Sequence, residues 1–150
     1  MRARLFAALG VVALLVATVM AEDKKEVKLE GIKCPLSGKA ATENSVDYKG
    51  GKVYFCCENC PKAFSKDPAK FAAKANAQLV ATGQAKQAKC PLSGGKLNPD
   101  TAITVAGSKV CFCCEMCQGK VKEAKGDEQI NLVFSDAAFE KAGFKVEKKK

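Results

Sequence analysis

The 150-residue chain contains no histidine, and its two arginines stand at positions 2 and 4. The lack of histidine removes the commonest nitrogen ligand of metal ions and the usual general base at neutral pH. Because no paired-carboxylate motif takes its place, we expect a protein that is not an enzyme. The lack of arginine beyond position 4 leaves no guanidinium fork for phosphates or bases, so we expect no nucleic-acid partner despite a formal net charge of +9.

The positive charge is carried by lysines that are scattered along the chain and end in a basic tail, residues 147–150. Scattered lysines are typical of a solvated surface that keeps a protein soluble. The alternative is a lysine-rich surface that meets an acidic partner.

The first 21 residues have the pattern of a secretory signal peptide. Residues 1–4 are basic, residues 5–20 are apolar or small, and the small residues Val19 and Ala21 precede the acidic Glu22. The apolar run is shorter than the roughly 20 residues of a membrane-spanning helix. We therefore predict cleavage after Ala21, a secreted or periplasmic protein and no membrane span after cleavage. An uncleaved anchor is the alternative.

The most abundant feature of chemical interest is cysteine, which occurs nine times and mostly in a tandem repeat. Lys33-Cys-Pro-Leu-Ser-Gly38 recurs as Lys89-Cys-Pro-Leu-Ser-Gly94, and Lys52-Val-Tyr-Phe-Cys-Cys-Glu-Asn-Cys60 recurs as Lys109-Val-Cys-Phe-Cys-Cys-Glu-Met-Cys117. The repeat predicts a leader (residues 22–32), a first module (33–80), a linker (81–88) and a second module (89–146). Modules this small bury only about 60% of their unfolded surface, so they commonly need disulfides or a metal to stay folded.

Local patterns predict an α+β fold in each module. The Cys-Pro-Leu-Ser-Gly motif favours a tight turn, and branched and aromatic residues around a glycine pair predict a β-hairpin over residues 46–55. Cys56, Cys60 and Phe64 are four residues apart and predict one helix face. Asp67 and Pro68 are typical of the cap and first position of a second helix.

The second module follows this plan with differences. A hairpin is predicted over residues 101–112, and residues 126–131 read as an inserted turn. Ser135 is then the predicted cap of a last helix that ends at Gly143, with Phe144 in contact with Phe139. We expect the phenylalanines to form the core.

Three chemistries compete for the cysteines. A disulfide framework is the common choice of exported domains, but adjacent cysteines such as Cys56 and Cys57 seldom pair with each other. A thiol oxidoreductase could use Cys57 and Cys60, although these modules are too short for a βαβ scaffold. Metal binding needs one thiol from a turn and two or three from a helix start, which is the predicted arrangement.

The same residues resemble those of the YHS/TRASH group of small treble-clef-like metal-binding modules, found in heavy-metal trafficking, resistance and sensing proteins. The resemblance rests on Cys34-Pro-Leu-Ser-Gly38, Tyr48, Gly50-Gly51, Val53-Tyr-Phe-Cys56, Cys60, Phe64 and Asp67-Pro68. It covers residues 33–74 well and residues 89–121 less fully, because the aspartate-proline element is missing there. It implies two treble-clef-like modules, each with a cysteine knuckle, a β-hairpin and one or two short helices.

The resemblance also implies a ligand set. The family's three ligand cysteines correspond to Cys34, Cys56 and Cys60 and, by the repeat, to Cys90, Cys113 and Cys117. Cys57 and Cys114 stand where the family often has serine, so each module offers a fourth thiolate. Cys111 aligns with Tyr54, and we do not expect it to be an essential ligand.

Without histidine, all-sulfur sites select soft ions. Four thiolates suit zinc and three suit copper(I) or a heavy metal, so we include all eight repeated cysteines as candidate ligands. The predicted function is an exported protein that binds one soft ion in each module, for structure or for trafficking and resistance together with a metal-transport or metal-resistance partner. The alternative is a secreted interaction module held by disulfides.

Overall fold

The computed structural model describes residues 27–147. The predicted signal peptide, the first residues of the leader and residues 148–150 of the basic tail lie outside this range. Among the described residues, none of the helices has both the length and the apolar character needed to cross a membrane.

The first cysteine cluster is carried by a hairpin and a short helix, as the sequence predicts. The helix begins only at Asn59, however, so Cys56 precedes it and does not share a helix face with Cys60 and Phe64. Strands β1 (Asn44–Tyr48) and β2 (Gly51–Phe55) are antiparallel, and helix α1 (Asn59–Lys66) follows them. Lys49 and Gly50 have φ angles of 50° and 88°, which a two-residue hairpin turn requires at both central positions. The tight turn fixes the register of β1 and β2, and β2 then leads the chain back towards Cys34.

The second predicted helix starts later than the sequence suggests. A 3-10 turn covers Ala69–Phe71, and helix α2 (Ala72–Ala81) follows it. Asp67 still acts at this end, since its Oδ1 accepts a hydrogen bond of 3.4 Å from the backbone N–H of Lys70.

The second cluster has the same surroundings. After the short strand β3 (Ala85–Lys86), strands β4 (Asn98–Val105) and β5 (Ser108–Phe112) form the second hairpin, and helix α3 (Glu115–Glu123) follows. Helices α4 (Gly126–Phe134) and α5 (Asp136–Lys141) and the short strand β6 (Lys145–Val146) complete the described chain. The fold is therefore α+β, with each cysteine cluster beside a hairpin and short helices.

Helix α4 corrects the prediction of an inserted turn over residues 126–131. Ala124 and Lys125 separate this helix from α3, and Gly126, with φ 60°, is its first residue. Asp127 and Glu128 lie in its first turn, where acidic residues interact well with the helix dipole. Val133 and Phe134 are fully buried. Tertiary packing of this apolar end stabilises a helix in a segment that looks polar when read locally.

Helix α2 lies at the centre of the core. It packs against β2 of the first hairpin, β5 of the second, and α4 and α5. The phenylalanines form the core as predicted, with Phe55 and Phe64 packed at 5.4 Å and Phe139 stacked on Phe144 at 4.7 Å between ring centroids. Strands β3 and β6 pair with each other across the two halves of the chain. The proposed module boundaries stay a prediction.

Candidate metal centres

The first centre begins at a tight turn that holds Cys34. The backbone N–H of Cys34 donates to the carbonyl of Lys39 at 2.7 Å, and Gly38 N–H donates to the carbonyl of Cys34 at 2.9 Å. Gly38 has a φ of 71°, which a residue without a side chain adopts at no steric cost. The turn leaves Cys34 only 2% exposed, with its thiol among core residues.

The hairpin and α1 bring two more thiols to Cys34. Cys56 directly follows β2, and Cys60 lies in the first turn of α1, with 3.7 Å between their Sγ atoms. The three Sγ atoms of Cys34, Cys56 and Cys60 all lie within 4.8 Å of one another. Cys56 and Cys60 follow Cys34 by 22 and 26 positions in the sequence, and the fold brings all three into one triad.

The second centre repeats this geometry. Cys90 is fully buried in an equivalent turn, in which its N–H donates to the carbonyl of Gly95 at 2.9 Å. Cys113 and Cys117 have Sγ atoms 3.7 Å apart, and the triad of Cys90, Cys113 and Cys117 again fits within 4.8 Å. The chain therefore contains two all-cysteine triads that could each hold a metal ion.

The sulfur spacing suits a single ion at each triad. With metal–sulfur bonds of about 2.3 Å, thiolate sulfurs lie about 3.8 Å apart in a tetrahedral site and about 4.0 Å apart in a trigonal one. The 3.7 Å distances in the two triads are close to both values. The upper limit of 4.8 Å for the remaining pairs requires adjustments of less than about 1 Å, which a side-chain rotation supplies.

The thiols of each triad differ in acidity. Burial raises the pKa of Cys34, but hydrogen bonds from the backbone and hydroxyl of Ser37 outweigh it and lower the pKa to about 7. Burial and hydrogen bonds with the neighbouring thiols raise the pKa of Cys60 well above its usual range. In the second centre the pKa of Cys90 is likewise lowered to about 7, against the effect of burial, and that of Cys117 is raised to about 12, mainly by burial. A triad therefore keeps protons that a bound cation displaces.

Two serine hydroxyls also contact the sulfur atoms. Ser37 Oγ lies 3.1 Å from Cys56 Sγ and accepts a hydrogen bond of 3.3 Å from the N–H of Lys39. Ser93 stands at the same distance from Cys113 Sγ. The sequence prediction assigned these serines no role, although their identity in both copies of the motif is the signal that could have found them.

A buried glutamine on α2 fixes the relative position of the turn and the strand in the first centre. The Gln78 amide donates to the carbonyls of Lys33 and Tyr54 at 3.0 and 2.8 Å, and its Oε1 accepts from the N–H of Tyr54 at 2.6 Å. Lys33 precedes Cys34, and Tyr54 lies two residues before Cys56. Gln78 thus joins the two chain segments that carry the first two thiols.

The second centre has the same clamp from a different part of the chain. Gln87 donates to the carbonyls of Lys89 and Cys111 at 3.0 and 2.7 Å and accepts from the N–H of Cys111 at 2.9 Å. Sequence reasoning missed both glutamines, because they are not equivalent in the repeat. No local signal marks either of them.

Cys57 and Cys114 lie beside the triads. Cys57 Sγ is 3.5 Å from Cys60 Sγ, and Cys114 Sγ is 3.6 Å from Cys113 Sγ. Hydrogen bonds with the backbone lower the pKa of both thiols, from Cys60 in the first case and from Cys117 in the second. Their service as fourth ligands stays a prediction.

All nine cysteines lie within the described residues and are free thiols. The half-buried Cys111 lies on β5, outside both triads. Comparisons of the chain with protein-family models, with curated proteins and with solved structures found no match. The candidate centres therefore stand on the geometry of their own residues.

Proposed function

We propose that this protein is an exported binder of soft metal ions that holds one ion in each of two cysteine centres. The observation that carries the proposal is the repeated triad, in which three free thiols from a turn, a strand end and a helix start lie within 4.8 Å of one another. Thiolate ligands without nitrogen or oxygen partners select zinc, copper(I) or heavy metals over hard cations.

The finer features of the proposal come from the sequence. The likeness to YHS/TRASH modules, the signal-peptide pattern and the all-cysteine ligand set together favour a secreted or periplasmic protein of metal trafficking or resistance that passes its ion to a transport or resistance protein. A centre closed by thiolates leaves no position for a metal-bound water, so we propose a binder and not an enzyme.

Metal content tests the proposal. The full chain, purified under reducing conditions, should contain two equivalents of ion by elemental analysis. Cys60→Ser should reduce this to about one equivalent, because a triad that loses a thiolate binds much more weakly. Cys111→Ser is the matched control and should leave the content unchanged. Equal losses in the two variants would overturn the ligand assignment.

Thiol counting separates this function from a disulfide framework. Protein taken from its native compartment and denatured with a chelator should present nearly all nine thiols, whereas a disulfide framework would leave about one. Folded, metal-free and disulfide-bonded protein would contradict metal binding.

A further inference from the structure

The first centre contains a pair of thiols that is suited to reversible oxidation. Cys57 is exposed, whereas Cys60 is half-buried and belongs to the triad. Their Sγ atoms are 3.5 Å apart, and the N–H of Cys60 donates to the carbonyl of Cys57 at 3.3 Å. This hydrogen bond closes a turn of four residues, which holds the two side chains next to each other while Cys57 stays open to solvent.

The second centre offers a different arrangement. Cys114 is half-buried and extended, with φ −158° and ψ 167°. Its Sγ lies 3.6 Å from that of its sequence neighbour Cys113 and also interacts with the backbone and side chain of Cys117. A disulfide requires Cα atoms about 5.5 Å apart and a dihedral angle near 90°, which adjacent residues reach only with distortion. The surplus thiol of the second centre is thus less accessible to a dissolved oxidant than that of the first.

We propose that Cys57 and Cys60 form a reversible disulfide with a low-molecular-weight disulfide as the oxidant, and that this bond withdraws Cys60 from the first centre and releases its ion. The release of the ion rests on the proposed metal binding. Formation of the disulfide does not depend on it. It makes the first centre sensitive to redox conditions under which the second keeps its ion.

The chemistry is a pair of thiol–disulfide exchanges. The exposed Cys57 thiolate attacks one sulfur of the oxidant, and a mixed disulfide forms as the first small thiolate leaves. The Cys60 sulfur then attacks Cys57 Sγ, and the second small thiolate leaves. Two protein thiols lose two electrons and two protons, and the oxidant becomes two small thiols. Of the three cysteines of the triad, only Cys34 and Cys56 then remain as ligands for the ion.

Closing the bond requires only local movement. The two sulfur atoms must approach from 3.5 Å to about 2.05 Å, which rotations of the two side chains supply. Because Cys60 lies in the first turn of α1 and Cys57 precedes the helix, the rest of α1 and its buried Phe64 keep their places.

Oxidised glutathione and Zn²⁺ test the proposal on the full chain. Reduced protein loaded with two equivalents of Zn²⁺ is treated with oxidised glutathione, and released Zn²⁺ is followed with a chromogenic chelator. We expect one equivalent to leave at least about tenfold faster than the other. Cys57→Ser should abolish the fast release, and the control Cys111→Ser, at a thiol outside both triads, should retain it. Peptide mapping should find the Cys57–Cys60 disulfide.

The outcomes separate the two proposals. Equal release rates from both centres, or fast release that survives Cys57→Ser, would overturn the redox assignment while leaving metal binding intact. If the full chain binds none of Zn²⁺, Cu⁺ and Cd²⁺, the proposed function fails, and peptide mapping of oxidised metal-free protein still tests the disulfide. A bond between any other pair of cysteines refutes it.

Discussion

Replacement of Gln78 by methionine should weaken metal binding at the first centre alone. The Gln78 side chain is buried, and it makes three hydrogen bonds with the backbone of Lys33 and Tyr54. Methionine has nearly the same length and suits a helix, so Gln78→Met removes the hydrogen bonds and little else. The turn that carries Cys34 then loses its tie to the strand that carries Cys56.

The expected magnitude follows from the groups that lose their partners. One backbone N–H and two carbonyls are left unsatisfied in a partly buried place, at about 1 kcal/mol each. The free energy of unfolding should therefore fall by about 3 kcal/mol. Looser support around metal ligands typically weakens affinity by about 10- to 100-fold, and we expect this loss at the first centre.

A matched control comes from Gln84. Its side chain accepts a hydrogen bond of 2.7 Å from the N–H of Lys52 on β2 and donates one of 2.8 Å to the carbonyl of Lys52. These contacts do not include the turn that carries Cys34. Gln84→Met should lower stability without changing metal affinity. Competition with a zinc chelator measures the two affinities, and urea unfolding of metal-free protein measures stability. An unchanged affinity in Gln78→Met, or equal losses at both centres, would refute the positioning role.

Two further predictions concern protons. Binding of an ion to the first centre should release more than about one proton at pH 7. In the metal-free protein Cys60 keeps its proton at this pH, and Cys34, with a pKa of about 7, keeps about half of one. Calorimetry in buffers of different ionisation enthalpy measures the number of protons released. Burial raises the pKa of Asp136, but hydrogen bonds from Lys49 and Asn76 outweigh it and lower the pKa. The stabilisation of the fold by these bonds to the Asp136 carboxylate is present above about pH 4 and is lost as the pH falls through the lowered pKa of the folded state. Asp136→Asn should therefore reduce the loss of stability at acid pH, measured as the urea midpoint of unfolding at each pH.

The sequence predicts those parts of the molecule that local patterns and the repeat determine. The two hairpins follow from branched residues around glycine turns, and the helix with Cys60 follows from four-residue spacing. The repeat also singled out Cys34, Cys56, Cys57 and Cys60, and the structure brings three of them, Cys34, Cys56 and Cys60, together as one triad. These features depend on residues close in sequence or on a motif that occurs twice.

The features that sequence reasoning missed depend on distant contacts. Helix α4 looks locally like a polar turn and owes its stability to Val133 and Phe134 in the common core. Gln78 contacts Tyr54, which precedes it by 24 residues, and Gln87 contacts Cys111, which follows it by 24 residues. A glutamine has no preferred partner until tertiary packing buries it, so its role could not be inferred from the residue alone.

Helix α2 connects the two centres physically. Gln78 clamps the first centre, and the carbonyl of its neighbour Ala77 accepts a hydrogen bond of 3.1 Å from the buried Ser108 hydroxyl at the start of β5. Strand β5 ends at Phe112, directly before Cys113. Adjacent residues of one helix therefore hold the strands that deliver Cys56 and Cys113. If the proposed metal binding holds, an ion in either centre would stabilise the strand next to it and, through that strand, the helix on which both strands pack.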